Sequence, residues 1–497
     1  MQRFIGYLRR TSLAVCLAFA VPSFGALPST TVWEVRPTVG SDTTASGCFD
    51  SAKAGTDYSQ QNAAQYNATD LVLGTGGTSG TSVSHSFVAA DVGNCIHITA
   101  GTNFTPGYYE ITAAAAGVAT FDRSAGSAAA SGGTYYVGGA LATVATANTN
   151  SVASNTVWIK ATGTYTVTSA MTVTLVSAGS LHIPLSFTGY TTTRGDNGQF
   201  SWTTATNSVD LVDFTAANNV TFQNILFSST AGTKAAGLNA LSTGNSLNIS
   251  VINCKFTGFL NAILGNFTVN WAFAPLYLVN SRITASTGVG LVNSGSTYII
   301  GSMIDNSTGD GADWSGGATA SSSSWTVENS IFYKNGGQGL SLPGIGGGSP
   351  IAIVNHSDFS TNTGVGLLTG QTLIPSIQIS NSIFDANGTY GIASGALNTN
   401  LMPWQLYNNA FYNNGTGQVQ SVNAGIGAIT LTASPYVSLG GLNFALNSTS
   451  GGGAALKGTG FPGVMTNGGG TGYANVGALD PMAGSAGGGA HGFPIVQ

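Results

Sequence analysis

Charge is what this 497-residue chain has least of: Asp, Glu, Lys and Arg make up 6% of it, where an ordinary globular protein carries about 25%. The formal net charge is −5 and no basic run lies beyond the first residues, which excludes the electrostatic footprint of a nucleic-acid binder. Histidine (5) and cysteine (4) are scarce, with no paired spacing suited to zinc. A phosphate-binding loop is missing, and beyond the N-terminus no apolar run is long enough to cross a membrane. The composition is not that of a disordered chain, because disorder favours low hydrophobicity and high net charge, whereas 42% of residues here are hydrophobic. Glycine is plentiful instead: its 71 residues are about twice the usual share. A surface of Ser, Thr, Asn and Gly keeps such a chain soluble through neutral hydrogen-bonding groups.

Residues 1–25 read as a secretory signal: a basic stretch ending at Arg9-Arg10, an apolar segment from Leu13 to Val21, then Ser23 and Gly25 at cleavage spacing. Pro22 and the short run argue against a membrane span. Ser12 stands where the twin-arginine route expects a bulky apolar residue, which favours general secretion. Leu13-Ala14-Val15-Cys16 superficially resembles a lipoprotein box, but Val15 is large for that site. The expected location is extracellular or at the cell surface, with no transmembrane segment in the mature chain. Export permits Cys48 and Cys95 to pair, although sequence does not give their distance in space. Cys254, beside Asn253, reads as a small corner residue, because no basic partner can be assigned to it.

A column of Asn224, Asn253, Asn280, Gly301, Asn329, His356, Asn381 and Asn408 repeats three places before Phe227, Phe256, Ile283, Ile304, Phe332, Phe359, Phe384 and Phe411. Neighbouring copies lie roughly 21 to 29 residues apart, the length of a solenoid coil. Asn, Gly and His tolerate positive φ, so each coil is expected to bend at the same place. His356 therefore reads as a corner residue. Stacked coils would put like residues about 4.8 Å apart, the asparagines bonding up the stack and the anchors facing inward. Gly290, Gly311, Gly339, Gly366 and Gly391 follow their anchors by seven places and keep the same phase. The predicted fold is all-β: a right-handed parallel β-helix with a small N-terminal β module or cap. The expected divisions are 26–140 for that module, 141–420 for the β-helix, 421–480 for closing coils or a C-terminal cap, and 481–497 for a flexible tail. Alternating segments such as 95–99 and 108–112 predict antiparallel strands in the module, and 138–148 a short helix over the solenoid mouth.

The repeated Asn-Ser-x-Phe/Ile units, with Val157-Trp158-Ile159-Lys160-Ala161-Thr162-Gly163-Thr164-Tyr165, resemble parallel β-helix proteins of the pectate-lyase-like superfamily over about residues 141–480. Gly472-Tyr473-Ala474-Asn475-Val476-Gly477-Ala478-Leu479-Asp480 is similar to the closing motif of secreted bacterial members. The resemblance specifies a fold better than an activity, since the superfamily holds lyases, hydrolases, epimerases, adhesins and phage tailspikes. Its lyases typically need a cation to acidify a uronate carbon, with Arg or Lys as base. On that basis Asp305, Asp310, Asp313 and Lys334 are the catalytic candidates, and Asp310 and Asp313 would hold a calcium ion. Asp305 and Lys334 are expected near one another across adjacent coils. The bland alternative is that 305–313 is a polar turn: it is a single copy of a pattern that calcium-binding repeats need in tandem. The paired aspartates and His of polygalacturonase-like hydrolases are not recognisable. Lys255 and Arg282 occupy equivalent positions before their anchors and are expected to form an outward basic pair. Tyr333, Tyr390, Trp404 and Tyr412 are candidate sugar-stacking aromatics. These residues favour a protein that recognises or packs against extracellular polysaccharide without a demonstrable active site. A polysaccharide lyase or glycoside hydrolase is the alternative, and a structural adhesin or filament component a third. The glycan and the oligomeric state stay open.

Overall fold

The computed structural model describes residues 27–173, 184–215, 219–240, 247–265, 273–293, 295–314, 324–342, 351–370, 376–395, 404–460 and 475–478. The signal segment, the tail from 481 and most of the 472–480 motif lie outside them. Three parallel sheets run the length of a solenoid, and each coil contributes one strand to each sheet in turn. The coil Ser324–Glu328, Ile331–Tyr333, Leu340–Leu342 is representative. Its strands pair in parallel with those of the coils on either side.

All eight residues of the predicted corner column have positive φ, from 45° at His356 to 57° at Asn224 and Gly301. They turn the chain between the first and second sheets. A second corner, two places after every anchor from Phe256 onward, also has positive φ: Gly258, Ala285, Asn306, Lys334, Thr361, Ala386 and Asn413. Most of these are residues for which that region is costly, so the surrounding stack imposes it. The anchors stack face to face inside the solenoid. Phe332, Phe359 and Phe384 are fully buried, with ring centroids 4.9 and 5.0 Å apart and planes within 5°.

The periodic glycines are fixed by contact, not by φ. A Cβ at Gly290, Gly311, Gly339, Gly366 or Gly391 would lie 2.5 to 2.8 Å from a carbonyl oxygen of the next coil, inside any allowed contact. The main hydrogen-bonded ladder is also not the predicted column. It consists of Asn335, Asn362, Asn387 and Asn414, three places after the anchors. The first three side-chain amides donate to the next coil's Asn at 2.9 to 3.0 Å, and all four donate to the preceding anchor's carbonyl at 2.9 to 3.1 Å. A second ladder joins Ser281, Ser302, Ser330, Ser357 and Ser382, each hydroxyl accepting the backbone N–H of the preceding coil. Within the corner column itself, Asn253 donates to Asn224 at 2.6 Å. Cys254 continues the serine column and is buried; burial pushes its thiol up to about 12.

Thr31–Val35 is the first departure from the expected N-terminal module, because it joins the first sheet in parallel with Thr156–Lys160. The module proper is a closed antiparallel barrel spanning Tyr66–Leu73 through Gly126–Val137. Cys48 and Cys95 form a disulfide that ties its Cys95–Phe104 strand to Cys48–Asp50 at the solenoid edge. Buried Glu34 binds the module's flank to the stack. It accepts Arg36 at 2.9 Å, Arg194 at 2.9 Å and the Tyr190 hydroxyl, while Arg194 reaches Asp57 at 2.8 Å. The helix Val144–Asn150 is capped by Thr143 and buries Val144 and Ala147 in the solenoid core.

At the other end Ile429–Thr430 still pairs with the second sheet, but the chain then leaves the coil. An antiparallel hairpin of Tyr436–Ser438 and Asn443–Leu446, with Leu456, Val476 and Ala478, packs on the outside of the second sheet against Met303, Ile331, Ile383 and Ala410. This apolar contact covers a lateral face. Among the described residues no helix is long and apolar enough to cross a membrane.

Candidate functional site

The two sides of a solenoid strand alternate, so the residues flanking each inward anchor point outward. On the second sheet these flanking positions form two columns. One runs through Lys255, Arg282, Met303, Ile331, Asp358, Ile383 and Ala410, the other through Thr284, Asp305, Tyr333, Ser360, Asp385 and Tyr412. Lys255 and Arg282 are register partners, as their spacing implies. Arg282 is not an open cation, however: its guanidinium forms a two-pronged pair with Asp305 at 2.9 and 3.0 Å. Asp305 is wholly buried and also accepts Thr284 at 3.0 Å. Lys334 sits one place beyond Asp305's register partner Tyr333, exposed at the second corner. Among the described residues Asp305 pairs with Arg282 and not with Lys334.

The C-terminal segment roofs this face. Tyr333 packs edge-on against Phe444 at 5.3 Å, and Tyr412 lies against the same apolar cluster. Trp404 packs against the main core, and Tyr390 opens a third-sheet strand. The four aromatics therefore do not make one sugar-facing row. Beneath the roof lie two carboxyls that the sequence reading did not select. Asp358 accepts the Ala478 N–H at 3.1 Å, and burial pushes its carboxyl well above the usual range. Asp385 accepts the Ser360 hydroxyl at 3.0 Å and is pushed up to about 6, again by burial. Buried Tyr436 is raised by burial and by the charges of both.

Asp313 lies in the third-sheet strand Ala312–Asp313, and Asp310 stands in the turn just before it. Asp310 accepts the Gln338 N–H at 2.6 Å, and burial raises its carboxyl. Asp313 is raised to about 6 by burial and by the charge of Asp310. Two carboxylates supply a fraction of the roughly six to eight oxygens calcium takes, and among the described residues no three His, Cys, Asp or Glu side chains converge. A second pair at the same spacing went unnoticed in the sequence. Asp210 accepts the Ala236 N–H at 2.6 Å and the Asn239 amide at 2.7 Å, while Asp213 is raised to about 7 by burial and by Asp210. The signal that could have found it is the shared Asp-x-x-Asp spacing. Asp213, Asn239, Leu264, Val292 and Asp313 follow one another in a single outward column. The two pairs stand four coils apart, about 19 Å at ~4.8 Å per step, too far to act on one bond.

The first sheet is different. One of its outward columns, Ser186, Thr221, Ser250, Tyr277, Tyr298, Thr326, Ile353, Gln378, Gln405, carries no charge across nine coils, while the column two places along holds Glu328. Tyr277 and Tyr298 stack in parallel at 4.8 Å.

These features define a parallel β-helix of the kind seen in pectate lyase. The pectate lyase Pel9A superposes with a TM-score of 0.51 at 16% identity, covering 68% of this chain and 91% of that one. A rhamnogalacturonan lyase (TM-score 0.37, 13% identity, 60% and 86% covered) and the Azotobacter vinelandii mannuronan C-5 epimerase AlgE6 A-module (0.34, 13%, 56% and 91%) match more loosely. At these identities the likeness is one of fold alone. No family model matches the chain, and no curated protein matches its sequence.

Proposed function

We propose that this is an exported β-helix protein that recognises or packs against extracellular polysaccharide along the side of its solenoid. The observation that carries the reading is the uncharged outward column of the first sheet, in which hydroxyls and amides flank a tyrosine stack. Sugars present the same combination of hydroxyl groups and apolar ring faces. The fold shared with Pel9A supplies the long lateral surface that an extended polymer needs. To test it, purified protein is titrated with a panel of neutral and acidic glycans, with and without calcium, while binding, reducing ends and unsaturated products are followed. Saturable binding without turnover is expected. Neither binding nor turnover across the panel would refute the reading and favour a structural adhesin or filament component.

The enzymatic alternative rests on the two third-sheet carboxyl pairs, whose raised members can hold a proton near neutral pH as a general acid must. A hydrolytic or eliminative activity abolished by Asp213→Asn or Asp313→Asn would establish it over the binding reading.

A further inference from the structure

Between successive coils of the first sheet the outward column narrows from Tyr277 to Ser250 and Thr221. The two small residues leave a cavity of ≈ 220 Å³, bordered by Pro184, Asn219, Thr221, Asn248, Ser250 and Tyr277. One face of the Tyr277 ring is taken by Tyr298, parallel within 14°. The opposite face looks down the column towards Ser250 and forms a wall of the cavity. The ring is thereby pre-set and would pay little entropy on receiving a ligand. Polar groups surround this apolar wall. The Asn248 amide donates to Asn219 at 2.6 Å, fixing both at the rim, and the half-buried hydroxyls of Thr221 and Ser250 offer donors and acceptors in register. Among the described residues none that line it is charged.

We infer that this cavity is a subsite for one pyranose ring of a neutral glycan, stacked on Tyr277 and hydrogen-bonded by the Asn and hydroxyl groups. The inference rests on the polysaccharide reading above and narrows it. The volume lies below the roughly 300 Å³ at which drug-sized pockets begin, so one ring enters and the rest of the polymer lies along the sheet. A uronate is disfavoured: its carboxylate would lose water against a wall that offers no counter-charge.

The test is calorimetric titration of the full chain with laminaritetraose, cellotetraose and maltotetraose, against tetragalacturonate. At least one neutral tetraose is expected to bind. Ser250→Leu fills the cavity yet leaves the tyrosine stack in place, and it should weaken binding about tenfold or more, as should Tyr277→Ala. Tyr277→Phe keeps the ring and should stay within about threefold of the unaltered protein. Neutral binding that survives Ser250→Leu would overturn the site while leaving the polysaccharide reading intact. Binding of tetragalacturonate alone would overturn the neutral class in the same way. Binding of none of the four would remove the subsite, and failure across the wider glycan panel would remove the broader reading with it.

Discussion

Replacing Asp385 by Asn should make the protein more stable at neutral pH, although it deletes a native hydrogen-bonding carboxylate. Asp385 is fully buried under the C-terminal segment, near Asp358 and Tyr436, with its Oδ1 lacking a donor among the described residues. Its carboxyl is raised from 3.8 to about 6. Between those values the folded state holds a proton that the unfolded chain has released, so stability falls as pH rises through the window. A rise of about 2 units at 1.36 kcal/mol each is worth about 3 kcal/mol. Asparagine carries no charge at any pH and can still accept the Ser360 hydroxyl, while its new N–H₂ group costs about 1 kcal/mol if it finds no acceptor. The net gain at pH 7.5 is then about 2 kcal/mol, a few degrees in Tm for a chain of this size. Below pH 4 the order should reverse, because wild-type Asp385 is protonated and well accommodated there. Circular-dichroism melts from pH 3.5 to 8 read both. A variant whose Tm runs parallel to wild type across that range would refute the burial argument.

Gly339→Ala sets a Cβ 2.6 Å from the Gly366 carbonyl oxygen and should cost about 3 kcal/mol; Gly440→Ala, with nothing within 4 Å, should be near neutral in the same chemical-denaturation assay. Asn362→Ala removes amide bonds to Phe332 and Asn387 and takes one of the two acceptors of the Asn335 amide, leaving it the Ile304 carbonyl. A loss of about 3 kcal/mol, with faster hydrogen exchange in the two neighbouring coils, is expected. The Cys48–Cys95 disulfide closes a 47-residue separation, so Cys48→Ser/Cys95→Ser should lower stability by about 4 kcal/mol, seen first as protease cleavage in the barrel.

How much of this was legible depended on whether residue type or mere position carried the constraint. The first corner was readable because positive φ selects Asn, Gly and His at Asn253, Gly301 and His356. The second corner was invisible, since Ala285, Lys334 and Thr361 adopt the same backbone under pressure from the stack and leave no compositional trace. The glycine column showed its phase but not its cause, a carbonyl approaching from the next coil. The ladder expected of the corner asparagines is formed instead by Asn335, Asn362, Asn387 and Asn414, because sequence does not say which amide faces inward. The site suffered more. Asp305 and Lys334 are neighbours in register, but Arg282, one coil earlier, has the better reach and takes the carboxylate. The covered face could not be foreseen: Met303, Ile331, Ile383 and Ala410 look like ordinary strand residues until a segment beyond residue 430 is found resting on them.

That roof acts as a ruler. A solenoid grows by whole coils, and a stack held only by repeating ladders tolerates one more or one fewer with little change in local geometry. The C-terminal segment touches five consecutive coils, at Met303, Ile331, Asp358, Ile383 and Ala410. This strap thereby counts the coils from Met303 to Ala410, and among the described residues its apolar contacts do not reach the coils before them. A coil inserted before Met303 would leave every described contact of the strap in place, whereas one inserted between Met303 and Ala410 would break it.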